Sequence, residues 1–197
     1  MIRRALDVAL ALLGLALASP LLLVAAVAIR LESHGPVLYR QRRIGRGGEP
    51  FELLKLRTMV AGAESIGAGL KVDAGDPRIT RVGAILRRTS LDELPNLINV
   101  LRGEMSMIGP RPTIPEQVAR YTERQRKRLA IRPGITGWAQ VNGRAALPWS
   151  ERIELDIYYI EHRSLALDLK ILWRTFFLVL RGSGLYKGSR GGWEGRL

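Results

Sequence analysis

Val8-Ala9-Leu10-Ala11-Leu12-Leu13-Gly14-Leu15-Ala16-Leu17-Ala18-Ser19-Pro20-Leu21-Leu22-Leu23-Val24-Ala25-Ala26-Val27-Ala28-Ile29 is a run of 22 residues without a charge. As a helix it extends ~33 Å, close to the hydrocarbon thickness of a bilayer. Arg3 and Arg4 precede it and Arg30 follows. A cleaved signal peptide would use Ala16-Leu17-Ala18 as its small-x-small site, but the apolar run continues past that point. A single spanning helix is the second placement. Five arginines (30, 40, 42, 43 and 46) follow the run and two precede it, which puts the following chain in the cytoplasm. The third placement is a re-entrant helix. Ser19-Pro20 sits at its middle; Pro20 removes the bond to the Ala16 carbonyl and kinks the helix, and the Ser19 hydroxyl is positioned to satisfy a freed carbonyl. The last two placements both leave the body cytoplasmic.

The 197 residues suffice for this membrane element and one domain with a real core. There is no cysteine, which excludes disulfides and thiolate metal sites. Lys and Arg number 31 against 18 Asp and Glu, a net charge of +13. Such a chain seeks polyanions: nucleic acid, anionic lipid headgroups or phosphorylated small substrates.

Beyond the apolar run, residues 37–41 and 51–58 read as strands joined by a turn at 46–50, a short hairpin. Residues 61–77, with four Gly and a Pro, read as a mobile loop. Helices are expected over 80–88, 92–101, 113–131 and 149–162, the third opened by a capping box at Thr113-Ile114-Pro115-Glu116. Over 167–180, Lys170, Arg174 and Arg181 form one basic stripe and Leu169, Leu172, Trp173, Phe176, Phe177 and Leu180 cover the remainder. That pattern fits a helix lying in a membrane interface and equally a core helix with a solvated stripe. The fold class expected is α+β, mostly helical. Three parts follow: a membrane-anchoring segment over 1–32, a catalytic domain over 33–181 and a basic, frayed tail over 182–197.

The acidic pair Asp92-Glu93 lies in Ser90-Leu91-Asp92-Glu93-Leu94-Pro95. Its plainest reading is helix capping, and Pro95 makes Asp92 the better N-cap, because the third helical residue needs no N–H. The surroundings point elsewhere. Arg87 and Arg88 lie just upstream, Lys55 and Arg57 alternate on one face of the second strand, and Gly109-Pro110-Arg111-Pro112 presents a cation on a stiff loop. Cations keep a carboxylate ionised and attract phosphate, and carboxylates with phosphate oxygens suit a hard cation such as Mg²⁺. A carboxylate that attacks a phosphoryl group forms an acyl phosphate, and a neighbouring acid shuttles a proton. His34 and His162 are single and unpaired, so no histidine-based metal site is expected.

With Lys55-Leu56-Arg57-Thr58-Met59, Leu91-Asp92-Glu93-Leu94-Pro95, the run 99–106, Gly109-Pro110-Arg111-Pro112 and the run 132–144 in hand, the chain resembles the bacterial sugar transferase family, the monotopic phosphoglycosyl transferases, from about Arg4 to Leu180. Ser19-Pro20 matches the break in that family's re-entrant helix, so the resemblance favours re-entry, with the body on the cytoplasmic face of the bacterial inner membrane. It implies that Asp92 attacks the β-phosphate of a UDP-sugar, UMP leaves, and undecaprenyl phosphate takes the sugar phosphate from Asp92 in the first membrane step of glycoconjugate assembly. It implies Mg²⁺ held at Asp92, and Glu93 in deprotonation or positioning. Lys55, Arg87 and Arg111 match phosphate-holding positions and Arg144 a nucleotide contact; Asp156 and Asp168 match acidic positions without an assigned role. Asn96 stands where many relatives carry Gln.

Two other classes compete. Arg120, Arg124, Arg126, Lys127, Arg128 and Arg132 suggest nucleic-acid binding, but only Tyr121 offers a stacking surface there and an apolar anchor is foreign to that class. A noncatalytic membrane scaffold on the same fold is the other, and intact Asp92 and Glu93 argue against it.

Overall fold

The computed structural model describes residues 2–66, 72, 75–143 and 146–181, without the side chains of 180 and 181. The expected frayed tail over 182–197, and residues 67–71, 73 and 74 of the loop expected over 61–77, lie outside the described residues.

Helix α1 (Ile2–Glu32) contains the apolar run. It is long and apolar enough to cross a membrane, and only 11% of its most apolar window is buried. The hydroxyl of Ser19 donates to the Ala16 carbonyl at 2.9 Å, the acceptor that Pro20 leaves free, and the backbone stays helical through Pro20. Arg4, Asp7, Ala11, Gly14, Ala18, Leu22, Ala25 and Ile29 form one half-buried to buried stripe at three- and four-residue spacing. Both halves of that stripe touch the body. Ala11 and Leu15 pack with Phe51, Leu53, Leu97, Val100 and Met105, and Leu22, Ala25 and Ile29 pack with Leu56 and Leu86. Polar contacts secure both ends. Arg4 donates to the carbonyls of Val100 (2.6 Å) and Leu101 (3.1 Å), and Asp7 accepts from the Ser106 hydroxyl and the Met107 amide. At the other end of α1, the Glu32 carboxylate accepts from the amides of Arg81 and Val82.

The expected hairpin forms from β1 (Leu38–Ile44) and β2 (Pro50–Leu56), antiparallel, with Tyr39 opposite Lys55. The Arg46–Gly48 turn places Gly47 and Gly48 at φ 71° and 87°, which glycine adopts without strain. On its other edge β2 meets the buried Asn99, whose side chain accepts from the Leu54 amide and donates to the Glu52 carbonyl.

Helix α2 (Arg81–Thr89) is N-capped by Thr80, which accepts from the Gly83 amide at 2.9 Å. It ends at Ser90 in the left-handed region (φ 58°) and passes into a 3₁₀ turn, Leu91–Glu93, and then α3 (Asn96–Arg102). Asp92 is therefore not the N-cap of a 92–101 helix: Pro95 holds that place, and Asp92 sits inside the preceding turn.

A second sheet, which sequence patterning does not reveal, pairs β3 (Ser106–Ile108) in parallel with β4 (Gly134–Thr136). Gly109, Gly134 and Gly137 let these chains touch; a Cβ on Gly134 would stand 2.0 Å from the Gly109 nitrogen. Between the strands the expected helix over 113–131 is three short pieces: α4 (Pro115–Val118), α5 (Glu123–Arg126) and a 3₁₀ turn over Lys127–Ala130. The capping box belongs to Thr122 and Gln125, because the Thr113 hydroxyl is already committed to Tyr121 and Arg128. Helix α6 (Trp138–Val141) follows, then α7 (Trp149–Glu161) and α8 (Leu165–Arg181), the last two as expected within a residue or two. On α8, Ile171 is fully buried while Leu165, Leu169, Trp173 and Phe176 are exposed. Lys170 and Arg174 lie over the Trp138 ring at 5.5 and 5.1 Å. The α8 surface left open is thus largely apolar.

Candidate active site

The acidic pair is carried on the short turn between α2 and α3, and each neighbouring element delivers a cation to it. Lys55 comes from β2, Arg111 from the loop after β3, Arg87 from the last turn of α2, and Arg43 from β1. The two acids share them unequally. Lys55 Nζ lies 2.9 Å from Glu93 Oε1, and the Arg111 guanidinium grips Glu93 in a fork, Nη2 to Oε1 at 2.6 Å and Nη1 to Oε2 at 3.3 Å. Burial pushes the Glu93 carboxyl up, but Arg111 and Lys55 prevail and hold it well below the usual carboxylate range.

Asp92 is 9% exposed, and its carboxylate makes no hydrogen bond or ion pair among the described residues. Burial raises its carboxyl above the ordinary value, and the Glu93 charge adds to this. Lys55, Arg87 and Arg111 oppose the rise without cancelling it. Asp92 is off the helix end, so no helix N-terminus offsets the burial, and desolvation dominates. Burial likewise lowers the Lys55 ammonium in spite of Glu93.

Arg87 donates from Nε to the Thr58 hydroxyl at 2.8 Å, which fixes the side chain next to the acids. Arg57 does not join the cluster. It lies past the end of β2, is buried, and donates to the carbonyls of Ser33 and His34 just after α1. Arg144 falls outside the described residues. Arg43 is a site residue that sequence reading missed, because its run of arginines was read as topological charge. Burial, then the nearby Arg111, brings its guanidinium down to about 10.

The two unassigned acids have structural partners. Asp156 and Arg128 form a buried ion pair, with Oδ2 2.9 Å from Nε and 2.7 Å from Nη2. Asp168 accepts from the Tyr159 hydroxyl at 2.7 Å and pairs with Arg3 at 3.0 Å, joining the start of α1 to α7 and α8. The basic segment 120–132 is largely spoken for: Arg124 pairs with Glu154 and Lys127 with Glu161, Arg128 is buried, and Arg132 donates to the Gly103 carbonyl. That speaks against a phosphate-tracking surface for nucleic acid.

Among the described residues no three His, Cys, Asp or Glu side chains cluster as a metal cage. A hard cation that keeps several waters needs only one or two carboxylates when substrate phosphates supply further oxygens. Asp92 fits that requirement, since its oxygens are not engaged, whereas both Glu93 oxygens are.

Comparison with known proteins identifies the family. The sequence profile of the bacterial sugar transferase family matches residues 1–182. An uncharacterized sugar transferase, EpsL, of Bacillus subtilis is 41% identical over 184 residues, 93% of this chain and 90% of its own. The UDP-glucose:undecaprenyl-phosphate glucose-1-phosphate transferase of Caulobacter vibrioides is 47% identical over 200 residues, covering 93% and 72%. The UDP-N-acetylgalactosamine-undecaprenyl-phosphate N-acetylgalactosaminephosphotransferase of Aeromonas hydrophila is 44% identical over 189 residues, 93% of this chain but 44% of that longer one. With its profile matched along most of its length and its acid pair set among cations, the chain belongs to the bacterial sugar transferase family.

Proposed function

We propose that the protein transfers a sugar 1-phosphate from a UDP-sugar to undecaprenyl phosphate, releasing UMP, through a covalent intermediate on Asp92. The observation that carries this reading is the asymmetry of the acid pair: Lys55 and Arg111 are both committed to Glu93, and the Asp92 carboxylate is left without a partner in contact among the described residues. An Asp92 oxygen attacks the β-phosphorus, the bond to the bridging oxygen breaks, and that oxygen departs with UMP. In the second half-reaction a phosphate oxygen of the lipid attacks the same phosphorus and the acyl phosphate bond breaks, returning Asp92. Arg111 and Lys55 supply positive charge to the phosphate oxygens, with Arg87 beside them. Glu93 assists deprotonation or positioning. Asp92 would hold Mg²⁺, which adds charge neutralisation at the diphosphate when bound.

The membrane placement follows the same logic. We infer that residues 1–32 are a re-entrant anchor turned at Ser19-Pro20, that 33–181 form the catalytic body on the cytoplasmic face of the inner membrane, and that α8 lies in the interface. In support, the first and last turns of α1 contact the same body, through Arg4 and Asp7 at one end and Glu32 at the other. A helix crossing to the far side would carry one end away from it. The opposite face of α1 and the α8 residues Leu169, Trp173 and Phe176 expose apolar side chains suited to lipid.

The test is to incubate purified enzyme with a UDP-sugar and Mg²⁺ without lipid acceptor. UMP should appear in a burst of at most one per enzyme, and the protein should gain one sugar phosphate in mass. Turnover that needs both substrates together, with no adduct, would replace the covalent route by direct attack of the lipid phosphate. A screen of UDP-sugars in the same assay identifies the donor.

A further inference from the structure

The loop that carries Arg111 has prolines on both sides of it, so Arg111 owns the only amide N–H in the stretch 110–112. Such a loop has little means of bracing itself. Instead, four consecutive carbonyls are held from outside. Pro110 accepts from the Gly134 amide at 2.9 Å, Arg111 from Arg128 Nη2 at 3.1 Å, Pro112 from Arg43 Nη1 at 3.1 Å, and Thr113 from the Ile44 amide at 2.9 Å. Two of the four donors are guanidinium groups.

Both guanidiniums are occupied by protein acceptors. Arg43 spends Nε and Nη2 on the Gln41 side-chain oxygen. Arg128 spends Nε and Nη2 on Asp156 and Nη1 on Thr113 and Tyr121, between the Tyr121 and Trp149 rings. Neither is left presenting a free fork to a ligand; Arg111, paired with Glu93 alone among the described residues, keeps a side chain that is 45% exposed.

We propose that Arg43 and Arg128 are positioning residues that set where the Arg111 guanidinium meets the substrate phosphate, acting through the 110–113 loop. This rests on the function proposed above. Displacement of a substrate-orienting group by about an ångström costs up to ~100-fold in rate, so loss of one brace should be visible in catalysis.

The experiment is a double-mutant cycle on kcat/KM for UMP release, with Arg43→Ala made in wild type and in Arg111→Ala protein. In wild type, Arg43→Ala should lower kcat/KM by on the order of 10- to 100-fold. In the Arg111→Ala background the same change should cost less than about threefold, because the group it positions is gone. Arg43→Lys, which keeps one donor in reach of the Pro112 carbonyl, should lie closer to wild type than Arg43→Ala. If Arg43→Ala protein does not fold, Arg43→Lys and Arg43→Gln carry the cycle. Equal fold losses in both backgrounds, no loss in wild type, or Arg43→Lys as poor as Arg43→Ala would each overturn the proposal and leave the function standing. Absence of UMP release from wild type with any UDP-sugar would overturn the function itself.

Discussion

Arg111 Nη2 stands 2.6 Å from Glu93 Oε1, while the adjacent Asp92 has no charged partner in contact. The stronger electrostatic clamp thus belongs to the acid that is not proposed to attack. Arg111→Ala removes both this clamp and the charge offered to phosphate. It should cost on the order of 2 to 4 kcal/mol of transition-state stabilisation, by analogy with other lost oxyanion donors. Arg126, exposed on α5, is the control, and Arg126→Ala should leave kcat/KM nearly unchanged. Equal losses at the two positions would move the active site elsewhere.

Asp92→Asn should abolish both the UMP burst and the mass adduct. Asp92→Glu should fail as well, since one added methylene shifts the attacking oxygen by about an ångström in a buried turn. Glu93→Gln keeps the nucleophile and should still trap some adduct while turnover falls. An adduct on Asp92→Asn protein, located by peptide mass mapping, would assign the nucleophile to another residue.

For the anchor, single cysteines at Ile2 and at Arg126, both exposed, report the two sides in an otherwise cysteine-free chain. In sealed inverted vesicles an impermeant thiol reagent should label both. Opposite labelling would establish a spanning helix. Pro20→Ala restores an amide at position 20 to bond the Ala16 carbonyl that Ser19 now serves, and should straighten α1 and move residue 2 outward.

The Arg128–Asp156 pair offers a stability test. Each partner is at most 5% exposed, so removing one leaves a buried charge alone, at a cost of roughly 3 to 5 kcal/mol. Asp156→Ala should therefore lower the unfolding temperature far more than Glu154→Ala, whose exposed pair with Arg124 contributes little. Similar shifts for the two in a thermal melt would contradict this assignment.

Asp76 gives a pH signature. Its hydrogen bonds and ion pair with Arg78 lower the carboxyl from 3.8 to about 2. A depressed acid stabilises the fold above its unfolded value and loses that stabilisation as pH falls through the folded value. The melting-temperature gap between wild type and Asp76→Asn should thus be full at pH 6 and should close between about pH 4 and 2. A gap independent of pH would mean that the pair does not stabilise the fold.

Sequence patterning reached the hairpin, α2, α7 and α8, because each rests on local periodicity or turn chemistry; the Thr80 cap of α2 is a finding of the structure. The pattern put Lys55 and Arg111 among cations around the acid pair, but nothing in it told that both would hold Glu93 rather than Asp92. It missed the β3–β4 pair, since three-residue strands held by the close approach of Gly109 and Gly134 carry no alternation to read. Arg57 is misplaced by a strand expected to run to 58, two residues too far: strand alternation stops at Leu56, and beyond it the side chain turns to the end of α1. The carboxyl shift of Asp92 was also out of reach, because desolvation depends on what the fold stacks above the turn rather than on neighbours in sequence.

Ser90 is the described non-glycine residue held at positive φ, and it joins α2 to the Asp92 turn without a loop between them. Arg87 and Asp92 therefore ride on one continuous stretch in which the Ser90 amide donates to the Arg87 carbonyl and the Glu93 amide donates to the Ser90 carbonyl. Opening of that stretch would release cation and acid in a single event, so amide exchange over 87–94 should show one shared protection level rather than a gradient. A site built this way loses its chemistry all at once or not at all.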